Sequence, residues 1–222
     1  MPSNAQEAAG RAASRGSGGQ VARADADILR RGLDTFAELG YQATTVRELA
    51  KRLDVSHNYV NDRYGSKEGF WRAVIDFAVQ DLRADFFAPV EGTDDAEMLR
   101  TVILRFFTAT ASSPQLNRIV ADESTHDSGR LDYLAAKYTR GFWEQLTPVI
   151  RRLMDGGRMP QVPEHLVFVA INGAALALTH QHMYDRLGPA APDTADDAKR
   201  RAETLTELIV GGLLPSHRQG SR

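Results

Sequence analysis

His57, Asn58, Tyr59, Asn61, Asp62 and Arg63 crowd into one short stretch, and their side chains suit contact with a nucleic acid. Asparagine can make a bidentate pair with adenine, while tyrosine and arginine reach phosphates. If the stretch is helical, with Val60 and Tyr64 turned inward one turn apart, then Asn58, Tyr59, Asn61 and Asp62 face away from the core. His57 and Arg63 lie on the flanks. Asp62 is awkward beside phosphates: it accepts from a cytosine amino group or orients Arg63, and orientation is the favoured role. Thr44 and Thr45 open the preceding helical pattern, where hydroxyls and free amides could be directed at a phosphate, and Lys67 could serve similarly. The candidate DNA contacts are therefore Thr44, Thr45, His57, Asn58, Tyr59, Asn61, Arg63, Tyr64 and Lys67. Residues 44–67 hold five cations (Arg47, Lys51, Arg52, Arg63, Lys67) against three acids (Glu48, Asp54, Asp62), a local +2 in a chain of formal charge −2. Small helical domains that bind nothing also carry such faces, so these residues alone leave a plain solvated surface open.

These side chains need short helices at fixed angles to hold them. Ile28, Leu29, Leu33, Phe36 and Ala37 recur at helical spacing, with Gly40 as a stop. Thr45 and Glu48 have the spacing of a capping box, each side chain satisfying the other's amide. Val46, Leu49, Ala50 and Leu53 form the inner face of a second helix. Ser56 is placed to cap a third, with Val55 and Val60 as a hydrophobic staple. Gly65 ends it. Ser66 starts a fourth helix striped with Phe70, Trp71, Val74, Ile75, Ala78, Leu82 and Phe86.

The plan is a helix-turn-helix, and the stretch resembles the N-terminal domain of the TetR family of transcriptional regulators. The resemblance rests on Phe36, Gly40 and Tyr41, on Thr44-Thr45-Val46 and Ala50, on Val55-Ser56, and on Tyr64-Gly65-Ser66-Lys67-Glu68. It covers roughly residues 28 to 78. Departures are Asp54 where the family usually has Gly, Asn58 where a small residue is typical, and Asn61 where Tyr is typical. They leave the fold intact and alter the expected base and phosphate contacts. Asp54 tolerates the left-handed backbone better than most residues. The resemblance implies a bacterial cytoplasmic regulator that dimerises on double-stranded DNA and responds to a small-molecule effector.

The rest of the chain fits an all-α protein. Its 42% apolar and 25% charged content are ordinary for a folded chain, and its lack of cysteine excludes disulfide and thiolate chemistry. Residues 1–22, rich in Ala, Gly and Ser, read as a disordered tail, residues 23–66 as the DNA-binding domain and 67–216 as a helical ligand-binding and dimerisation domain. A helix starts near Asp94, another at Pro114, and a long one runs from Ser128 to about Asp155, with a kink expected at Pro148. Pro163 opens a helix that is apolar on nearly every side from Leu166 to Leu178. Such a helix must be covered on every side, either within one subunit or partly by a partner. The run is too short to span a membrane, and no membrane partner is expected. Gly188, Pro189 and Pro192 mark a loop before a final helix.

The resemblance implies that the last two helices form a four-helix bundle with a second copy. Ala170, Ala174 and Ala177, with Leu205, Leu208, Ile209 and Leu213, are the residues expected at that homodimer interface. An effector needs a mostly apolar cavity with a few polar groups. Its expected lining is Phe106, Phe107, His126, Tyr138, Phe142, Trp143 and Asn172, although at helical spacing the aromatics also suit plain core. His180 and His182 do not share a face and read as polar-face or interface residues. Glu123, His126 and Asp127 could gather a metal, but no second cluster of ligand spacing accompanies them, so neither metal nor cofactor is expected. No Gly-rich phosphate loop, nucleophile elbow or zinc motif suggests an enzyme.

Overall fold

The computed structural model describes residues 4–86, 90, 94–178, 186–187 and 194–214. Every element among them is helical: α1 (Asn4–Ala43), α2 (Val46–Leu53), α3 (Tyr59–Tyr64), α4 (Lys67–Phe86), α5 (Asp95–Ser112), α6 (Pro114–Glu123), α7 (Gly129–Leu134), α8 (Arg140–Asp155), α9 (Glu164–Ala177) and α10 (Ala195–Leu213). A single π turn, Ala135–Thr139, joins α7 to α8. Among the described residues no helix is long and apolar enough to cross a membrane.

The chain divides into two compact units, Met1–Ala78 and Val79–Arg222. The break falls within α4 rather than at residues 66 and 67. Phe70, Trp71, Val74 and Ile75, all without solvent exposure, belong to the N-terminal core. Together with Phe36, Leu49, Leu53 and Val60 they make that core, each contributing about 1.5–3 kcal/mol of burial. The helix α1 begins at Asn4, so the expected disordered tail is helical over residues 4–22. The alanines there favour helix, and the segment extends a helix already nucleated downstream. The helical backbone breaks at Gly40 (φ 74°, ψ 161°), where the sequence placed the stop.

In the second unit α5 is the central element, packing against α10 and α8 and also touching α6 and α9. Its N-terminus is capped by Asp94, which accepts from the Ala96 amide at 3.3 Å. Ser128 caps α7 by accepting from the Leu131 amide at 3.3 Å. Arg152 donates to both carboxylate oxygens of Asp95 and Arg158 to those of Asp94, fastening the end of α8 to the start of α5. These guanidinium partners hold both aspartate carboxyls below the usual range. The helix α8 runs through Pro148, and the departure from α geometry lies at the π turn instead. Pro148 is exposed, and on the solvent side of a helix water can satisfy the carbonyl that a proline leaves unpaired. The expected loop at Gly188, Pro189 and Pro192, and His180 and His182, lie outside the described residues.

Candidate nucleic-acid interface

The turn between α2 and α3 is built from backbone first. Asp54 takes the left-handed conformation (φ 57°, ψ 49°), as its residue type allows. Its amide donates to the Lys51 carbonyl at 3.4 Å and that of Val55 to the Ala50 carbonyl at 3.1 Å. This pair of bonds closes the end of α2 and reverses the chain. Thr45 caps the start of α2, accepting from the Glu48 amide at 3.1 Å. The reciprocal half of the capping box is absent among the described residues: Glu48 instead accepts from Arg52 at 2.9 Å. The same guanidinium donates to both oxygens of Glu38 on α1, at 2.5 and 3.0 Å, tying α2 to α1. Hydrogen bonding to Arg52 holds the Glu38 carboxyl below its ordinary value.

The third helix starts later than the sequence suggested. Ser56 does not cap it; its carbonyl accepts from the Tyr59 amide at 3.0 Å, and α3 begins at Tyr59. Residues 56–58 thereby form an exposed shoulder. Val60 is fully buried and Tyr64 packs edge-on to Phe70, ring centroids 4.9 Å apart, so the inward pair stands as expected. His57, Asn58, Asn61, Asp62 and Arg63 are exposed. Tyr59 is not: it is half-buried beside Tyr64, ring centroids 6.3 Å apart, and burial pushes its hydroxyl pKa up.

Four expected contacts have other work. Thr44 is fully buried and its hydroxyl donates to the Gly40 carbonyl at 2.7 Å. Lys67 donates from Nζ to the carbonyls of Tyr41 and Thr44, at 2.9 and 2.8 Å, with the ammonium 4.0 Å from the Tyr41 ring centroid. It clamps the α1–α2 junction, whose carbonyls at a helix end need donors. Arg63 is paired with Asp25 of α1, and its hydrogen bond to Tyr64 and that carboxylate raise its pKa. Asp62 therefore does not orient Arg63. Thr45 is exposed, with its hydroxyl oxygen engaged as a cap. Asp25 and Glu38 offset the local +2 that the segment alone suggested. Arg47 and Lys51, both exposed, add cations on α2 outside the polar run of residues 57–63.

The C-terminal unit places the residues of the expected effector lining in different surroundings. Phe106, Phe107, Tyr138 and Phe142 are buried together, with the rings of Phe106 and Phe142 stacked at 4.2 Å. Burial pushes the Tyr138 hydroxyl up to about 12. His126 is exposed at the end of α6, within 3.0 Å of the Thr125 hydroxyl and the Asp122 carbonyl. Asn172 is half-buried and is not among the residues lining the groove beside Trp143. Trp143 does line a groove of about 620 Å³, with Ala135, Thr139, Arg140, Glu164, His165 and Phe168. Half of those partners sit on α9, where a mostly apolar run carries no motif that marks them as a site. Glu123 is buried and paired with Arg130 at 2.7 Å, and among the described residues no three metal-ligating side chains gather.

Of the expected interface residues, Ala170 and Leu208 are exposed, Ala174, Leu205, Ile209 and Leu213 half-buried. The side chain of Ala177 lies outside the described set. Leu166, Val169 and Leu208 stand 50%, 58% and 68% exposed, a large apolar surface for α9 and α10 to leave in water.

Residues 28–74 match the family described as bacterial regulatory proteins, tetR family. A ketosteroid transcriptional regulator of Mycobacterium tuberculosis shares the fold at 18% identity, covering 85% of this chain and 94% of its own, with a TM-score of 0.65. A TetR-family regulator of Thermus thermophilus does so at 23% identity, covering 85% and 96%, TM-score 0.60. A tetR-family regulatory protein of Rhodococcus does so at 22%, covering 84% and 96%, TM-score 0.63. Comparison with curated protein sequences finds no match. Residues 28–74 thus carry that family's helix-turn-helix, and the chain as a whole has the all-helical fold of these solved regulators.

Proposed function

We propose that this chain is a ligand-responsive repressor. A homodimer binds a palindromic operator in double-stranded DNA and lets go when a small, largely apolar compound occupies the C-terminal unit. The observation that carries the reading is the exposed run of His57, Asn58, Asn61, Asp62 and Arg63 around a short helix anchored by buried Val60. A rigid helix with polar groups outward is what a major groove accepts. The exposed apolar residues of α9 and α10 support self-association, since such a surface is stable in water only when covered. The groove beside Trp143 supports an effector, and a regulator named for ketosteroids shares the fold.

The packed aromatic interior favours a second reading, an operator-binding dimer with no small effector. Fluorescence-anisotropy titration against promoter fragments over a salt series tests the shared part. Tight binding to a palindromic site, weakened by Asn58→Ala by about 1–3 kcal/mol at its contacted base pair, is expected. Weak binding of equal strength to every fragment would remove both readings. Screening compounds for release of the operator then separates them.

A further inference from the structure

The groove between the π turn, α8 and α9 has a composition that selects a ligand chemistry. One wall is aromatic: Trp143 and Phe168 meet edge to face, ring centroids 5.3 Å apart. The polar lining is Thr139, Arg140, Glu164 and His165. Its acid is already spent, because Glu164 accepts from Arg151 at 2.5 and 3.1 Å and is held in its charged form by that partner. Arg140 and His165 are both exposed and make no hydrogen bond or ion pair among the described residues. What remains on offer is therefore a guanidinium, an imidazole and a hydroxyl beside an apolar wall.

We infer that the groove binds an amphipathic carboxylate: a small molecule whose apolar or aromatic body lies against Trp143 and Phe168 and whose carboxylate is taken by Arg140. A guanidinium matches a carboxylate in two parallel hydrogen bonds and stays charged at every physiological pH. His165 and Thr139 supply further donors at the rim. A volume of about 620 Å³ lies within the range of small-molecule sites. Ala135 and Thr139 are the two ends of the π turn, so the groove is shaped by the one segment that departs from α geometry. Such turns recur at functional sites. The regulatory meaning of the site rests on the effector reading above, whereas its occupancy does not.

Calorimetric titration of the full-length protein with 4-phenylbutanoate and its neutral isostere 4-phenylbutanamide tests the inference. The acid should bind at least about tenfold tighter than the amide. Arg140→Gln should abolish that preference while leaving the amide's affinity within twofold, and Arg140→Lys should restore part of it. Trp143→Ala should weaken both compounds. Equal affinity for the two, an acid preference that survives Arg140→Gln, or no binding of either at millimolar concentration (as when a second copy covers the groove) would overturn it. Operator release is measured separately with the same pair. Release by the amide, together with equal calorimetric affinity for acid and amide, would overturn the inference and leave the effector reading intact. Acid binding through Arg140 with no release would leave the inference standing and remove the effector reading.

Discussion

The two units treat their side chains in opposite ways. In the N-terminal unit many polar groups are spent on internal fastening: Lys67 on backbone carbonyls, Arg52 on Glu38 and Glu48, Arg63 on Asp25, Thr44 on Gly40. In the C-terminal unit the aromatics fill a core, while Leu166, Val169 and Leu208 are left in the open. A polar residue type is therefore a poor guide to what touches DNA, and an apolar one a poor guide to what is inside. Residue type alone does not separate the tools from the fasteners: Arg63 is exposed yet paired, and Leu208 is apolar yet exposed.

The comparison can be broken most forcefully at Gly69. A Cβ there would lie 2.1 Å from the Tyr64 carbonyl oxygen, so Gly69→Ala must push α3 away from α4. A loss of about 3 kcal/mol is expected in denaturant unfolding of the N-terminal unit, with the C-terminal unit's transition unmoved. Next comes Leu208→Arg, which places a charge in the exposed apolar face. If that face is covered by a second copy, dimer affinity falls by about 2 kcal/mol or more, visible as monomer in light scattering. An unchanged mass would show that the face is not the contact.

A smaller effect sharpens the line between fastener and contact. Lys67→Met should cost about 1.5 kcal/mol of stability and leave the salt dependence of DNA binding unaltered, because its ammonium is already engaged. Arg47→Gln should do the reverse, lowering the salt slope by about one and barely changing stability. The smallest effect on stability is expected at Asp25→Asn, since solvent screening leaves an exposed ion pair little to contribute. Freeing Arg63 should raise DNA affinity a few-fold and steepen the salt dependence. A weaker complex would mean that Asp25 holds Arg63 where DNA needs it.

The helix-turn-helix was legible because local rules dominate it. Gly40 and Asp54 have the backbone freedom their positions demand, and Thr45 and Ser66 sit where caps belong, Ser66 accepting from the Gly69 amide at 3.0 Å. The apolar spacing placed Val60 and the α4 stripe from Phe70 to Ala78 inward without tertiary information. The fasteners were not legible. Asp25 lies 38 residues from Arg63, and Lys67 lies 26 from Tyr41, so neither pairing leaves a periodic trace. The groove was missed for a related reason. It needs the register of α9 against the π turn, and Glu164, His165 and Phe168 carry no motif of their own. The packed fate of Phe106 and Phe142 was the alternative that their helical spacing left open, and tertiary packing decided it.

The chain has two tryptophans, and they fall one to each unit. Trp71 has no solvent exposure in the N-terminal core, while Trp143 is half-buried in the groove. The molecule thus carries two native optical probes of different polarity. Blue-edge emission reports whether the reading head is folded, and the redder component reports what occupies the groove. Occupancy and integrity can be followed together in one cuvette, with no label attached.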